Sequence, residues 1–282
     1  MADAGWKTRA AGLHALTLGG TAPQVVSDAL CATEGDDLRH LLAALDEQGD
    51  HRDLEWIVFD YLGAAQRAAV LAHVAAASAD WPSQVHVVAD VDDTIFASIH
   101  DNVYPDGTLY PGVLEFLTRC GRGAPIIVVT ARPQVLEDSL RRRLHNIGLA
   151  GVPVLSGSLR RVFSDAAMAA RKSVNLEHLM ALHPRDRFVL VGDDGQGDVH
   201  LARQAIARWG DRIAAVFIHH VKPGALPQDE DIQFFRDYAQ AARRARALGL
   251  LTRSEADAVI RAAKRATLKT DVAGDAVAIP AA

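Results

Sequence analysis

The spacing of apolar residues changes near Trp81. From Val25 to Ala79 the apolar residues recur at the three- and four-residue spacing of amphipathic helices, as in the run LRHLLAALDEQ. This spacing predicts three or four helices, with Asp36 or Asp37 as the N-cap of the helix that carries this run. Residues 1–80 are therefore predicted to form a small helical N-terminal segment.

After Trp81, short β-branched runs alternate with helical patterns. Near-continuous apolar strands separated by helices are typical of a parallel sheet that is covered on both faces. The sequence therefore predicts an α/β domain over residues 81–225, built on a doubly wound parallel sheet with helices on both faces. The predicted strands are 85–89, 126–130, 152–155, 188–192 and 213–219, and the predicted helices are 113–119, 133–146, 173–182 and 199–209.

The chain after residue 225 returns to a helical pattern. One or two C-terminal helices are predicted over residues 226–270, with an amphipathic stretch that starts at Ser254 and Asp257. Residues 271–282, which end in VAGDAVAIPAA, are predicted to be a disordered tail.

Candidate chemistry begins at VVADVDDT, where a predicted strand ends in three acids and a hydroxyl. Ligands of doubly wound folds bind at the carboxyl ends of strands. Three close carboxylates repel one another, and Mg²⁺ is a divalent cation with the preference for oxygen ligands that would relieve this. Asp90 and Asp92 project to the same side of an extended chain, so one could attack phosphorus while the other handles a proton. The alternative is a loop in which Asp92 or Asp93 only caps the next helix.

Two further segments place phosphate-binding groups after predicted strands. Thr130 and the backbone amide of Ala131 end the second strand and could bind a phosphoryl oxygen, although Thr130 could also cap the next helix. Lys172 is predicted near the start of a helix that Ser173 could cap. It could clamp a phosphoryl group, with Arg171 as a competitor for that role, or be an ordinary surface lysine.

The last segment is GDDGQGD, which follows the strand at 188–192. Its glycines permit a tight loop, and its acids could complete an octahedral oxygen shell around a metal ion. The alternative interpretation is a plain turn that binds no metal ion. The four segments occur in a specific order at strand ends of one predicted sheet, which indicates that they form one site.

In these segments, over about residues 85–221, the chain resembles the haloacid-dehalogenase-like (HAD) phosphatases. The stretches ADVDDTI, YPGVLEFL and RFVLVGDDGQGD with VFIHHV are similar to the catalytic domain of the actin-patch phosphatidate phosphatase family and its bacterial relatives. The resemblance implies a HAD-like fold and a Mg²⁺-dependent phosphomonoesterase that acts through an aspartyl-phosphate. A lipid phosphate such as phosphatidate is the substrate class that it suggests.

The resemblance also assigns roles to individual residues. Asp194 or Asp198 would support the waters on the metal, and this choice stays open. The implied set is Asp90 as nucleophile, Asp92 as acid/base, Thr130, Ala131 and Lys172 as substrate ligands, and Asp90, Asp92, Asp193 and Asp194 at the metal.

The chain departs from that family at two points. It has TARP where the family tends to have a serine-rich second motif, and Asp194 where a serine is usual. The resemblance therefore predicts the chemistry more closely than the substrate.

The spacing of the motifs leaves no room for a large cap domain. Between Thr94 and Pro111 only a hairpin-like flap fits, and an open site of this kind suits a phosphate carried on a bulky lipid or macromolecule. The flap residues His100, Asp101, Asn102, Tyr104 and Asp106 could contact the substrate or could simply be solvated.

Two smaller features of the sequence are ambiguous. His219 and His220 end a strand near the same edge, where local hydrogen bonding is a better explanation than metal binding. The run Arg141–Arg143 lies in a predicted helix and could contact an anionic partner.

The composition sets limits on location and partners. A net charge of −5 gives no global basic field for nucleic acid. Cys31 and Cys120 lack metal-type spacing, which predicts free thiols in a reducing compartment. No stretch approaches the length of an apolar membrane span. A cytoplasmic protein is therefore expected, with no transmembrane segment.

Two alternatives to a lipid phosphatase remain. One is a noncatalytic scaffold that binds a phosphate or a partner, against which the retention of mutually repelling acids argues. The other is a phosphatase of nucleic-acid ends or small metabolites; the nucleic-acid version is weaker, because the sequence shows no aromatic stacking platform.

Overall fold

A computed structural model describes residues 3–20, 22–98, 100–101, 103–157, 165–195 and 197–273. The α-helices are α1 Asp3–Leu18, α2 Pro23–Cys31, α3 Gly35–Asp46, the one-turn α4 Leu54–Trp56, α5 Ala64–Ala77, α6 Val113–Gly121, α7 Glu137–Asn146, α8 Asp165–Leu182, α9 Asp198–Trp209, α10 Tyr238–Ala247 and α11 Arg253–Ala273. The strands are β1 Val85–Ala89, β2 Ile126–Pro133, β3 Val154–Gly157, β4 Arg187–Asp193, β5 Ile213–His219 and β6 Ile232–Phe235.

The chain divides into two compact units that do not follow its linear order. Unit 1 comprises residues 1–83, 132–160 and 174–186, and unit 2 comprises residues 84–131, 161–173 and 187–282.

Unit 1 contains the predicted N-terminal helices. Its core is formed by apolar side chains on successive turns, and Leu38, Leu41 and Leu45 of α3 are fully buried. The capping prediction is wrong, because α3 begins at Gly35 and Asp36 and Asp37 lie inside its first turn. Carboxylates in that turn still interact favourably with the helix dipole.

The six strands form a parallel sheet in the order β3-β2-β1-β4-β5-β6, which confirms the predicted doubly wound α/β class. Ala89 of β1 lies opposite Val128 of β2 on one side and Val191 of β4 on the other. The strand order runs outward in both directions from β1 and β4, so the switch point of the topology lies between them. Ligands of such folds bind there, at the carboxyl ends of the strands.

The central strands are buried almost throughout, as the near-continuous apolar runs predicted. In β4 only Arg187 is exposed, and in β1 only the first residue is partly exposed. Within unit 2, α6 packs on β1, α9 packs on β4 and β5, and α10 packs on β6. None of the helices in the described ranges is long and apolar enough to cross a membrane.

Several elements differ from the predictions. Strand β2 continues to Pro133, because the residue before a proline favours extended backbone, and α7 begins only at Glu137. Strand β6 replaces part of the predicted C-terminal helix, with Ile232, Phe234 and Phe235 buried. Helix α11 reaches Ala273, and the rest of the predicted tail lies outside the described residues.

Candidate active site

Asp90 lies directly after β1, at the switch point of the sheet. Its side chain is buried, and its backbone N–H donates to the carbonyl oxygen of Val191 on β4 at 2.9 Å. The carboxylate is thus fixed between the carboxyl ends of the two central strands.

Lys172 brings a buried positive charge to this carboxylate. Its Nζ lies 2.9 Å from Asp90 Oδ1 and 2.6 Å from Asp198 Oδ1, and the residue is 2% exposed. The structure places Lys172 in the interior of α8, not near its start, so the prediction that Ser173 caps a helix is wrong. Burial alone would lower the pKa of Lys172, but the Asp198 and Asp90 carboxylates raise it above its usual value, so the ammonium stays charged.

Asp193 and Asp198 come from the two ends of the glycine-rich loop. Asp193 ends β4, and Asp198 is the first residue of α9, preceded by Gly197 at a φ of 79°. A methyl group on Gly192 would lie 2.4 Å from Asp198 Oδ2, so a glycine there lets the Asp198 side chain lie against the strand. The sequence GDDGQGD therefore turns two of its acids toward Asp90.

Asp90, Asp193 and Asp198 form a buried acidic group. One carboxylate oxygen from each lies within 4.8 Å of the others. Asp193 Oδ1 accepts the Gly195 N–H at 2.6 Å, whereas its Oδ2 is buried and meets no hydrogen-bond donor in the described part of the chain. A buried carboxylate oxygen without a donor, within a set of oxygen ligands, fits a hard divalent cation such as Mg²⁺.

The pKa shifts in this acidic group also fit a bound cation. Burial raises the pKa of Asp90 to about 7, and Lys172 opposes the rise while Asp198 and Asp92 add to it. Burial, followed by the charges of Asp198 and Asp90, raises the pKa of Asp193 well above its ordinary value. A bound cation would stabilise the ionised carboxylates and reverse this tendency.

Asp194 lies outside the acidic group that the structure assembles. Its carboxylate contacts His220 Nδ1 and accepts the backbone N–H groups of Val221 at 3.0 Å and Lys222 at 3.3 Å. The structure thus brings Asp198 to Asp90 and Asp193, and ties Asp194 to the chain that follows β5.

The other predicted residues lie at the same sheet edge. Asp92 is half-buried and its backbone forms an isolated bridge with Phe96. Thr130 is buried and Ala131 half-buried on β2, beside β1. The structure therefore places these residues around the end of β1.

The segment after β1 forms the hairpin-like flap that the spacing predicted. Its backbone closes through Ala97 N–H to Thr108 O and Gly107 N–H to Ala97 O, both at 2.8 Å. Tyr110 donates its hydroxyl to Asp101 Oδ2 at 2.6 Å. Asn102, another predicted contact residue, lies outside the described residues.

Two aromatic side chains hold the turn that carries Asp92. His219 has its ring nitrogens 2.8 Å from Asp93 O and 3.0 Å from Arg236 O, so it bonds locally, as expected. The buried Tyr238 donates its hydroxyl to Thr94 O at 2.8 Å. The contribution of Tyr238 could not be read from the sequence, because it depends on the packing of α10.

Comparison with known proteins agrees with this geometry. Residues 85–220 match the family model described as the catalytic domain of phosphatidate phosphatase APP1. No curated protein and no solved structure gives a significant match. The matched segment contains Asp90, Lys172, Asp193 and Asp198, and the resemblance seen in the sequence is confirmed. Residues 85–220 are thus similar to the catalytic domain of the APP1 phosphatidate phosphatase family, and the protein is a phosphatase.

Proposed function

We propose that the protein hydrolyses phosphomonoesters, with phosphatidate as the substrate class, by a Mg²⁺-dependent reaction through an aspartyl-phosphate on Asp90. The observation that carries the proposal is the buried contact of Asp90 with Lys172, at 2.9 Å, within the acidic group. A nucleophilic carboxylate must be ionised, and Lys172 favours the ionised form of Asp90.

In the first step, an oxygen of Asp90 attacks phosphorus and the bond from phosphorus to the ester oxygen breaks. Asp92 gives its proton to the departing alcohol oxygen. In the second step, Asp92 takes a proton from a water molecule, which attacks phosphorus and releases inorganic phosphate from Asp90. The first step leaves Asp92 ionised and the second returns its proton, so one turnover restores the acid.

The phosphoryl oxygens need positive or N–H partners, since negative charge spreads over them in the transition state. Lys172 supplies a charge, and Thr130 and Ala131 lie on β2 beside the end of β1. Mg²⁺, held by Asp90, Asp193 and the Asp92 carbonyl, would offset the charge of the carboxylates and of the phosphoryl group.

The flap after β1 is only a hairpin, so no large cap domain would exclude a bulky alcohol. Together with the family match, this supports a lipid phosphate. We further propose that residues 81–225 form the phosphatase domain and that residues 226–270 complete it. The free cysteines Cys31 and Cys120 support the cytoplasmic location expected from the sequence.

Phosphate release from an aryl phosphate, in Mg²⁺ and in excess chelator, tests the mechanism. Asp90→Asn removes the nucleophile at nearly constant shape, so we expect kcat to fall at least about 1,000-fold. Asp229→Asn changes the charge equally at a surface pair with Arg203 and is the matched control. A folded Asp90→Asn protein as active as the control, or wild-type activity that survives the chelator, would overturn the proposal.

Calorimetric titration with Mg²⁺ separates the two candidate supporting acids. Asp198 lies in the acidic group, whereas Asp194 is engaged by His220 and two backbone amides. We expect Asp198→Asn to weaken Mg²⁺ binding about 10-fold or more and Asp194→Asn to weaken it less. The opposite order would assign the supporting role to Asp194.

A further inference from the structure

His100 is held in a fixed orientation by a buried carboxylate in the flap. Asp93 Oδ2 accepts the His100 backbone N–H at 3.0 Å and contacts its Nδ1 at 3.1 Å, while Oδ1 accepts the Ser98 N–H at 2.7 Å. Asp93 is fully buried and has a φ of 55°, an unusual conformation for a residue with a side chain. The flap therefore starts from a turn built around this acid.

The contact with Asp93 determines the state of the imidazole. The Asp93 carboxylate already accepts two backbone N–H groups, so we assign the donor role in this contact to Nδ1 of His100. Nε2 lies on the other side of the ring, and within the described residues it has no hydrogen-bond partner. The side chain is 34% exposed, so Nε2 can reach a ligand.

Gly195 places this ring beside the acidic group. A methyl group on Gly195 would lie 2.7 Å from His100 Nδ1 and 2.7 Å from Asp193 Oδ1. The imidazole and the Asp193 carboxylate thus lie against the same glycine, at a distance that no other amino acid would permit. His100 is partly exposed, whereas Asp90 and Lys172 are buried.

We propose that His100 is a substrate-contacting residue, and that its Nε2 hydrogen-bonds an oxygen of the alcohol part of the phosphomonoester. This rests on the proposed function, which places the phosphoryl group at Asp90 and Lys172. The alcohol has to leave toward solvent, and His100 is partly exposed whereas Asp90 and Lys172 are buried. The substrate class is a phosphomonoester whose alcohol carries a second oxygen near the phosphate, as glycerolipid phosphates do. A site that bonds such an oxygen discriminates against substrates without it.

Two substitutions separate this role from anchoring of the flap. In His100→Asn the side-chain amide reaches about as far as Nδ1, so the Asp93 contact is kept and Nε2 is lost. In His100→Gln the amide reaches about as far as Nε2, so a polar group is kept there and the Asp93 contact is weakened. Thermal unfolding of both variants establishes that they are folded.

The experiment measures kcat/KM with a soluble short-chain phosphatidate and with an aryl phosphate. For His100→Asn we expect a loss of about 10-fold or more on phosphatidate and of less than about 3-fold on the aryl phosphate. His100→Gln should lose less than His100→Asn on phosphatidate. The same loss on both substrates, or a folded Asn variant that is more active than Gln, would overturn the proposal.

Wild-type activity and the Asp90→Asn variant test the phosphatase mechanism separately from the substrate contact of His100. Wild-type hydrolysis that requires Asp90 supports the phosphatase mechanism whatever the His100 variants do. A wild-type protein inactive on both substrates would overturn the mechanism, and the role of His100 with it.

Discussion

Each of the two units contains a buried cation between two carboxylates, and the two arrangements differ. In unit 2, Lys172 Nζ contacts Asp90 and Asp198, which lie at the carboxyl end of the sheet. A third acid, Asp193, adds an oxygen without a donor in the described part of the chain. The negative charge in this group exceeds what the lysine can balance.

In unit 1, Arg141 of α7 lies 2.7 Å from Glu137 Oε1, one turn earlier on the same helix, and 3.6 Å from Asp53 Oδ2. It also donates to the carbonyl oxygen of Val152 at 3.2 Å. The arginine thus ties together three segments of unit 1. Its neighbour Arg142 is exposed, so the basic run of the sequence divides between a structural and a solvated role.

The comparison shows that buried charge alone does not identify a site. Both groups contain acids whose pKa burial raises, Asp90 in unit 2 and Asp53 in unit 1. Only the acids of unit 2 follow the central strands of the sheet, where ligands bind. Position in the topology distinguishes the catalytic group from the structural one.

Among the substitutions that test this comparison of the two cations, the largest effect should come from Lys172. Lys172→Met keeps the chain length and removes the charge, so kcat/KM on an aryl phosphate should fall about 100-fold to 1,000-fold, as when one transition-state donor is lost. Lys172→Arg, which keeps the charge with a different shape, is the control and should lose less. A folded Lys172→Met protein that keeps a tenth of wild-type activity would remove Lys172 from the catalytic group.

Arg141→Met should act on stability instead. The substitution leaves Glu137 and Asp53 without their counter-charge, and breaking a buried ion pair in this way costs about 3 to 5 kcal/mol. Urea unfolding would measure the loss, with the exposed Arg142→Met as the matched control. Below the unfolding transition, hydrolysis of the aryl phosphate should persist. If activity vanished while the protein stayed folded, the division between structural and catalytic cations would be wrong.

The sequence predicted the parts of the site that depend on strand ends. Asp90, Thr130 and Asp193 follow apolar runs that could be recognised without knowledge of packing. The choice between Asp194 and Asp198 depended on backbone conformation, because Gly192 and Gly197 direct the Asp198 side chain toward Asp90. The spacing of apolar residues along the sequence does not reveal this backbone conformation.

The missed elements have similar physical causes. Strand β6 has only four residues, too few to show a β period. The first half of α8 contains DAAMAAR, which has high helix propensity but too few large apolar residues to show an amphipathic period. Lys172 was therefore predicted near a helix start when it lies in a helix interior.

The smallest effect, and the one that tests the structural acids most directly, is the pH dependence of Asp46 in unit 1. Burial raises the pKa of Asp46 from 3.8 to about 7, Glu55 adds to the rise, and the Leu54 N–H, which donates to Oδ1 at 3.2 Å, opposes it. Between these two pH values the unfolded chain has lost a proton that the folded protein keeps. The contribution of Asp46 to stability is thus fully present below about pH 4 and is lost as the pH rises through about 7.

Asp46→Asn keeps the acceptor for Leu54 and stays neutral, so it should match wild type near pH 4 and be more stable by about 1 to 3 kcal/mol at pH 8. Urea unfolding at pH 4, 6 and 8 would measure the difference, and the exposed Asp36→Asn is the control, because Asp36 meets only Arg39 at the surface. Parallel pH profiles for wild type and Asp46→Asn would show that Asp46 is ionised in the folded protein. A gain confined to high pH would instead show that the folded protein keeps Asp46 protonated, because burial outweighs the opposing charge of Arg141.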